Sequence, residues 1–216
     1  MKDLNLFRCR DSVYLREVSS KDDLNDMAPI GHDSADPGCD GFLIRSNEKM
    51  ARSIIASLRD KGFKGKVGIF GGDDAFNRRV IESLKIDYLV SVEALTKFDN
   101  LKQRDSGLNH VVAKMAATRN SVPSKLGTSG KVPSSSGKGV SIVVDFGDIA
   151  SLCGKEKAMR IAKIIQNVKV CRKVGCSIKI ASLVLDKDGV VDEKGRKAFG
   201  ETVGMSSSEI RDCVVF

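Results

Sequence analysis

Tryptophan is absent from this chain of 216 residues, and tyrosine and histidine occur twice each. The shortage of Trp and Tyr leaves few platforms on which single-stranded bases could stack. The two histidines, His32 and His110, cannot build the imidazole–carboxylate cluster of a metal-dependent hydrolase. No Cys-x-x-Cys pair supplies zinc-ligand spacing. A serine triad lacks its Gly-x-Ser-x-Gly elbow, and neither a Gly-x-Gly-x-x-Gly nor a Walker pattern is present. No run of about 18 apolar residues occurs, so no membrane span is expected. The opening MKDLNLFRCRDS has no stretch suited to a signal or transit peptide. The expected compartment is therefore the cytoplasm. There the scattered Cys9, Cys39, Cys153, Cys171, Cys176 and Cys213 read as reduced, mostly buried apolar residues.

What the chain has in excess is local positive charge. Its net charge is +8, yet residues 102–131 carry six Lys/Arg against Asp105, and residues 154–173 carry seven against Glu156. These segments hold +5 and +6, so the remainder is net negative. Charge concentrated in this way points to a polyanionic partner, and nucleic acid is the commonest. Apolar content of 41% with 30% charged residues is ordinary for a globular protein, large enough for one α/β domain or two small ones.

Short β-branched runs predict strands at Leu4–Cys9, Gly41–Arg45, Lys66–Phe70, Asp87–Val92, Val140–Phe146 and Ser177–Leu183, with a weaker one at Val13–Val18. Between them, helical spacing predicts Asn47–Lys61 behind an N-cap at Ser46, then Phe76–Leu84, Ser106–Arg119, Gly154–Lys173 and a last helix from Ser206 or Ser207 toward Val214. Repeated strand–helix order means right-handed parallel crossovers, in an open doubly wound sheet or a closed (β/α) barrel. Six or seven units favour the barrel, as one domain over 1–216. Two stretches interrupt the rhythm: a Pro/Gly/Asp-rich loop at 26–40, and a Ser/Gly/Lys/Pro-rich segment at 121–139 that reads as a surface insertion.

Asp73, Asp74, Asp145, Asp148 and Asp186 follow strands, where a carboxylate-only Mg²⁺ site is conceivable; helix caps and solvated loops account for them better. Phe70-Gly71-Gly72-Asp73-Asp74 reads as a tight turn, since its acids would repel phosphate. The basic helices offer more. His110 and Lys114 share a face of the first. On the second, Ala158, Ile161, Ile165 and Val168 form an expected core stripe, Arg160, Lys163 and Asn167 one polar row, and Gln166, Lys169 and Lys173 another. Such rows suit phosphate and ribose contacts of structured RNA, and a solvated helix face is the plain alternative. Arg172 falls on the expected buried side. It must either lie along the apolar stripe or pair with a carboxylate such as Asp145 or Asp186.

Two long motifs go beyond composition. RDSGLNHVVAKMA (Arg104–Ala116) resembles the Arg-x-Ser-Gly-Leu-Asn-x-Val-x-x-Lys-x-Ala signature of archaeal ribonuclease P protein component 3. RIAKIIQNVKVCRKVGCSIKIAS (Arg160–Ser182) resembles that family's helix–strand segment, and GETVGMSS (Gly200–Ser207) its Gly-x-x-x-Gly-Met stretch. The resemblance covers roughly 104–120 and 140–210 and is weak before residue 80. It implies an irregular TIM-barrel-like (β/α) barrel, related to the polymerase-and-histidinol-phosphatase superfamily without its metal-binding histidines.

It further implies a subunit of an endoribonuclease in which RNA, not protein, is the catalyst. No cofactor is then bound by this chain, and Mg²⁺ is required by the RNA subunit. The implied partners are ribonuclease P RNA, a small ferredoxin-like protein subunit, other ribonuclease P proteins and, indirectly, precursor tRNA, with no membrane. Carried over onto matching positions, the binding residues are Arg104, Asn109, Lys114, Arg160, Gln166, Asn167, Arg172, Lys173 and Ser182. Lys163 and Lys169 join them from the basic rows. The 121–139 insertion is longer than the family's usual connection. The competing readings are a metal-dependent phosphoesterase on a related barrel and a barrel that binds a phosphorylated metabolite at its C-terminal strand ends.

Overall fold

The computed structural model describes residues 3–8, 12–24, 39–93, 106–118 and 139–216. Seven strands run in chain order: β1 (Asp3–Asn5), β2 (Ser12–Val18), β3 (Gly41–Ile44), β4 (Lys66–Phe70), β5 (Tyr88–Val90), β6 (Ser141–Asp145) and β7 (Ile178–Ala181). Every neighbouring pair is parallel. The helices are α1 (Glu48–Asp60), α2 (Asp74–Ser83), α3 (His110–Thr118), α4 (Phe146–Ser151), α5 (Gly154–Val174), α6 (Glu193–Thr202) and α7 (Ser207–Cys213).

The sheet curls until β7 meets β1. Leu183 N donates to Leu4 O at 3.0 Å and Leu6 N to Val184 O at 3.1 Å, giving a nearly closed TIM-barrel-like fold. The seam is reinforced by a buried charge pair, Arg196 of α6 to Asp3 at 2.9 Å. Of the two topologies the strand pattern allowed, the barrel is the one formed.

Alternation along each strand divides the core in two. Phe42, Ile44, Val67, Ile69, Leu89, Ile142, Val144 and Ile180 face outward and pack under the helices. Leu4, Leu15, Leu43, Tyr88, Val90, Val143, Ala181 and Leu183 fill the interior.

Local chemistry sets the helix ends. Asn47, rather than Ser46, caps α1 by accepting from Met50 N, and Asp73 caps α2. Gly175 ends α5 in the left-handed conformation at φ 70°. Ser206 and Glu209 form a capping box on α7. Helices α4 and α6 were not anticipated. The first is a six-residue turn directly after β6, and the second carries Gly195 and Gly200 in a charged segment with little apolar periodicity. The loop at 26–38 and the insertion at 121–138 lie outside the described residues. Among the described cysteines all are free; Cys171, Cys176 and Cys213 are buried and Cys153 is exposed.

Candidate nucleic-acid interface

The structure sorts the basic and amide residues into two groups with different physical roles. The first group is buried near the C-terminal mouth of the barrel. Glu93, three residues beyond β5, is 1% exposed; Asp145, the last residue of β6, points into the barrel. Arg160 of α5 reaches both neighbourhoods, with its guanidinium 3.1 Å from Asp148 and 3.9 Å from Glu93. Burial pushes Glu93 up to about 7, and the nearby Arg160 guanidinium opposes that shift only in part. Asp145 is likewise raised to about 7 by burial, although its Oδ1 caps α4 by accepting from Asp148 N at 3.0 Å.

The expected solvent-facing row Arg160–Lys163–Asn167 is therefore corrected. Arg160 and Asn167 are 5% and 1% exposed. Asn167 Nδ2 donates to Ser106 O at 3.2 Å, joining α5 to the segment before α3. The buried face of α5 is Arg160, Ile164, Asn167, Val168 and Cys171, about a quarter turn from the predicted apolar stripe. Isoleucines and valines spread over more than half of the circumference of this helix, so hydrophobicity alone did not fix its phase. The polar anchors did.

The RDSGLN run is built the same way. Gly107 has φ +75°, and a Cβ there would lie 1.9 Å from Val92 O, so only glycine fits. This kink delays α3 to His110. Asn77, fully buried on α2, donates to Gly72 O at 2.9 Å and Gly107 O at 2.7 Å, tying two loops together. Asn109 Oδ1 accepts from Val111 N and Val112 N, capping α3, while its Nδ2 donates to Asp74 at 2.6 Å. Ser182 is fully buried, and its Oγ accepts from Val191 N at 3.1 Å. Asn109, Arg160, Asn167 and Ser182 thus all make joints of the barrel.

The second group is open. Lys114 on α3, with Lys169 and Lys173 on α5, is exposed; Lys163 and Gln166 are half-buried. Lys155, Lys169 and Lys173 lie within a narrow sector of α5 opposite its buried face, a cationic stripe suited to phosphates. Arg172 is exposed rather than buried. It donates to both oxygens of Glu209 and, at 2.6 Å, to Gly204 O; the expected partners Asp145 and Asp186 are not used. That ion pair holds Glu209 below its ordinary carboxylate range. Arg104 lies outside the described residues.

Among the described residues, no three His, Cys, Asp or Glu side chains gather where they could hold a metal ion, and no helix is long and apolar enough to cross a membrane. Asp73 and Asp145 cap helices, and Asp186 accepts from Asp188 N and Gly189 N in an exposed loop turn. The motif search did not single out Glu17, Arg45 or Glu93. A signal existed: Glu17 is the next-to-last residue of β2, Arg45 follows β3 and Glu93 lies just beyond β5, and Glu17 and Arg45 continue the inward-facing alternation of β2 and β3.

No family model matches the chain, and neither does any curated protein. Solved structures do. A chain in a cryo-EM structure of archaeal ribonuclease P with mature tRNA superposes with a TM-score of 0.59 at 18% identity, covering 94% of this chain and 78% of that one. What is shared there is the fold. A crystal structure of an uncharacterised protein gives a TM-score of 0.51 at 10% identity, covering 82% of this chain; this chain spans 41% of that protein's length.

Proposed function

We propose that this chain is a protein subunit of ribonuclease P, the ribonucleoprotein that removes the 5′ leader of precursor tRNA. In this reading it is the component-3-type barrel, a scaffold that binds the RNA and pairs with a small ferredoxin-like subunit. The observation that carries the proposal is a coincidence of two independent likenesses. The RDSGLNHVVAKMA and RIAKIIQNVKVCRKVGCSIKIAS motifs resemble that family, and the whole barrel superposes on a chain of a ribonuclease P assembly.

The geometry supplies a physical division of labour. The buried Arg160 and Asn167, with the α3 cap Asn109, fix α3 and α5 against the barrel, and the exposed lysines of those helices face outward as phosphate contacts. Mg²⁺ in this scheme serves the RNA, and the protein's cations reduce the Mg²⁺ the folded RNA needs. The same reading implies a cytoplasmic protein acting alongside other ribonuclease P proteins. Affinity capture of the full chain from its own cells, followed by sequencing of the bound RNA, tests the assignment. Enrichment of ribonuclease P RNA is expected; recovery of no specific RNA contradicts it.

A further inference from the structure

A cleft of about 470 Å³ opens at the C-terminal ends of β3, β4 and β5, between the starts of α1 and α2. Phe70, Phe76, Gly71 and Gly72 line it together with Arg45, Ser91 and the Ser46–Asn47 start of α1. The Arg45 guanidinium carbon lies over the Phe70 ring, 3.6 Å from its centroid, and its Nε is held by Glu17 at 2.7 Å. This pairing balances the arginine's charge and fixes a planar, partly apolar platform.

Ser91 is the unusual member. It is 3% exposed, its Oγ has no hydrogen-bond partner, and its backbone sits at φ 51°. The strained position is fixed by Ser91 N donating to Val143 O at 2.9 Å. A buried hydroxyl without a partner and a left-handed non-glycine residue are both unfavourable, and such features concentrate where a ligand completes the site.

The chemistry of the cleft narrows the ligand. A phosphate is disfavoured. The Gly71 amide is already bonded to Val90 O and the Gly72 amide to Asn77 Oδ1, while Asp73 at the α2 N-terminus adds negative charge. A purely aliphatic ligand would leave the Ser91 hydroxyl unsatisfied. A flat, uncharged ring with a hydrogen-bonding edge meets both demands, stacking on phenylalanine or guanidinium planes and pairing with the buried Ser91 hydroxyl once it rotates about χ1 toward the cleft. We propose that this cleft binds a single nucleobase, presented either by an unpaired nucleotide of RNA or by a free mononucleotide. The inference rests on the cleft alone and does not require the ribonuclease P assignment.

Titration of ¹⁵N-labelled full-length protein with AMP, GMP, CMP and UMP, each against base-free ribose 5-phosphate, tests this directly. At least one nucleotide should move the Gly71, Gly72 and Ser91 amide resonances saturably, and ribose 5-phosphate should not. Ser91→Ala, which keeps Cβ and removes only the hydroxyl, should weaken that binding about fivefold, the loss of one hydrogen bond. Arg45→Met, which keeps an apolar stem on Phe70, should weaken it at least as much. A short single-stranded RNA containing 2-aminopurine separates the sources. Tighter binding than the monophosphate, with quenching lost in both variants, assigns the base to RNA; binding no tighter assigns it to a free nucleotide. Either result supports the site. No movement of these resonances at millimolar nucleotide, or equal movement by ribose 5-phosphate, overturns it. Co-purification of ribonuclease P RNA with the unmodified chain reports separately on the assignment of function.

Discussion

The two faces of α5 carry the same kinds of residue and do opposite things. On the inner face Arg160 and Asn167 are buried, one between Asp148 and Glu93 and the other on the Ser106 carbonyl. On the outer face Lys169 and Lys173 are exposed, with Lys155 in the same sector. A cation therefore cannot be assigned to RNA binding because it stands in a basic helix or a family motif. Its burial and its partners decide.

Removing Arg160 should break the comparison most sharply. Arg160→Ala removes a buried guanidinium 3.9 Å from Glu93 and 3.1 Å from Asp148, and should destabilise the barrel by about 3 kcal/mol or more at pH 8. Chemical denaturation at two pH values checks the cause. Glu93 takes up a proton near pH 7, so the penalty should shrink at pH 5.

Asp145 gives the next largest effect, through pH. A carboxyl whose folded value is raised binds more protons folded than unfolded between about pH 4 and pH 7. Folding stability then falls as pH rises through that window and levels off above it. Asp145→Asn keeps a side-chain oxygen to cap α4 and removes the titration. Its stability relative to the unmodified chain should rise from pH 5 to pH 8 by on the order of 1–3 kcal/mol, read from paired denaturation curves. A difference that is flat with pH would mean Asp145 titrates normally.

Arg172 sits between the extremes, with an exposed ion pair to Glu209 and a bond to Gly204 O. Arg172→Ala should cost about 1 kcal/mol or less, well short of a buried pair. The smallest effect on stability belongs to the outer face. Lys169→Ala with Lys173→Ala should change it by no more than about 0.5 kcal/mol, while the slope of log K against log salt for RNA flattens by about 2.

Much of the barrel was legible because its strands are short β-branched runs between turn residues. Val140–Phe146 and Ser177–Leu183 were found within two residues of the observed strands. Helix α5 was legible in extent but not in phase. Ile161 and Ile165 look like core, yet charge pairing and an amide bond turn Arg160 and Asn167 inward, and no periodicity of hydrophobicity encodes such a choice. The Gly107 kink was similarly hidden, because its cause is the Val92 carbonyl supplied by another loop. The cleft at Arg45 and Ser91 joins residues from three strand ends, and no local sequence window contains them together.

The central claim, that the outer lysines serve a ribonuclease P RNA while the inner residues serve the fold, is met most directly by reconstitution. Precursor tRNA cleavage would be measured with the catalytic RNA and the small partner subunit at modest Mg²⁺, with this chain, without it, and with Lys114→Ala/Lys169→Ala/Lys173→Ala. The account predicts that the chain raises cleavage, that the triple variant raises it much less while melting at the same temperature, and that the chain alone cuts nothing. Cleavage by the protein without RNA, or full stimulation by the triple variant, would contradict it.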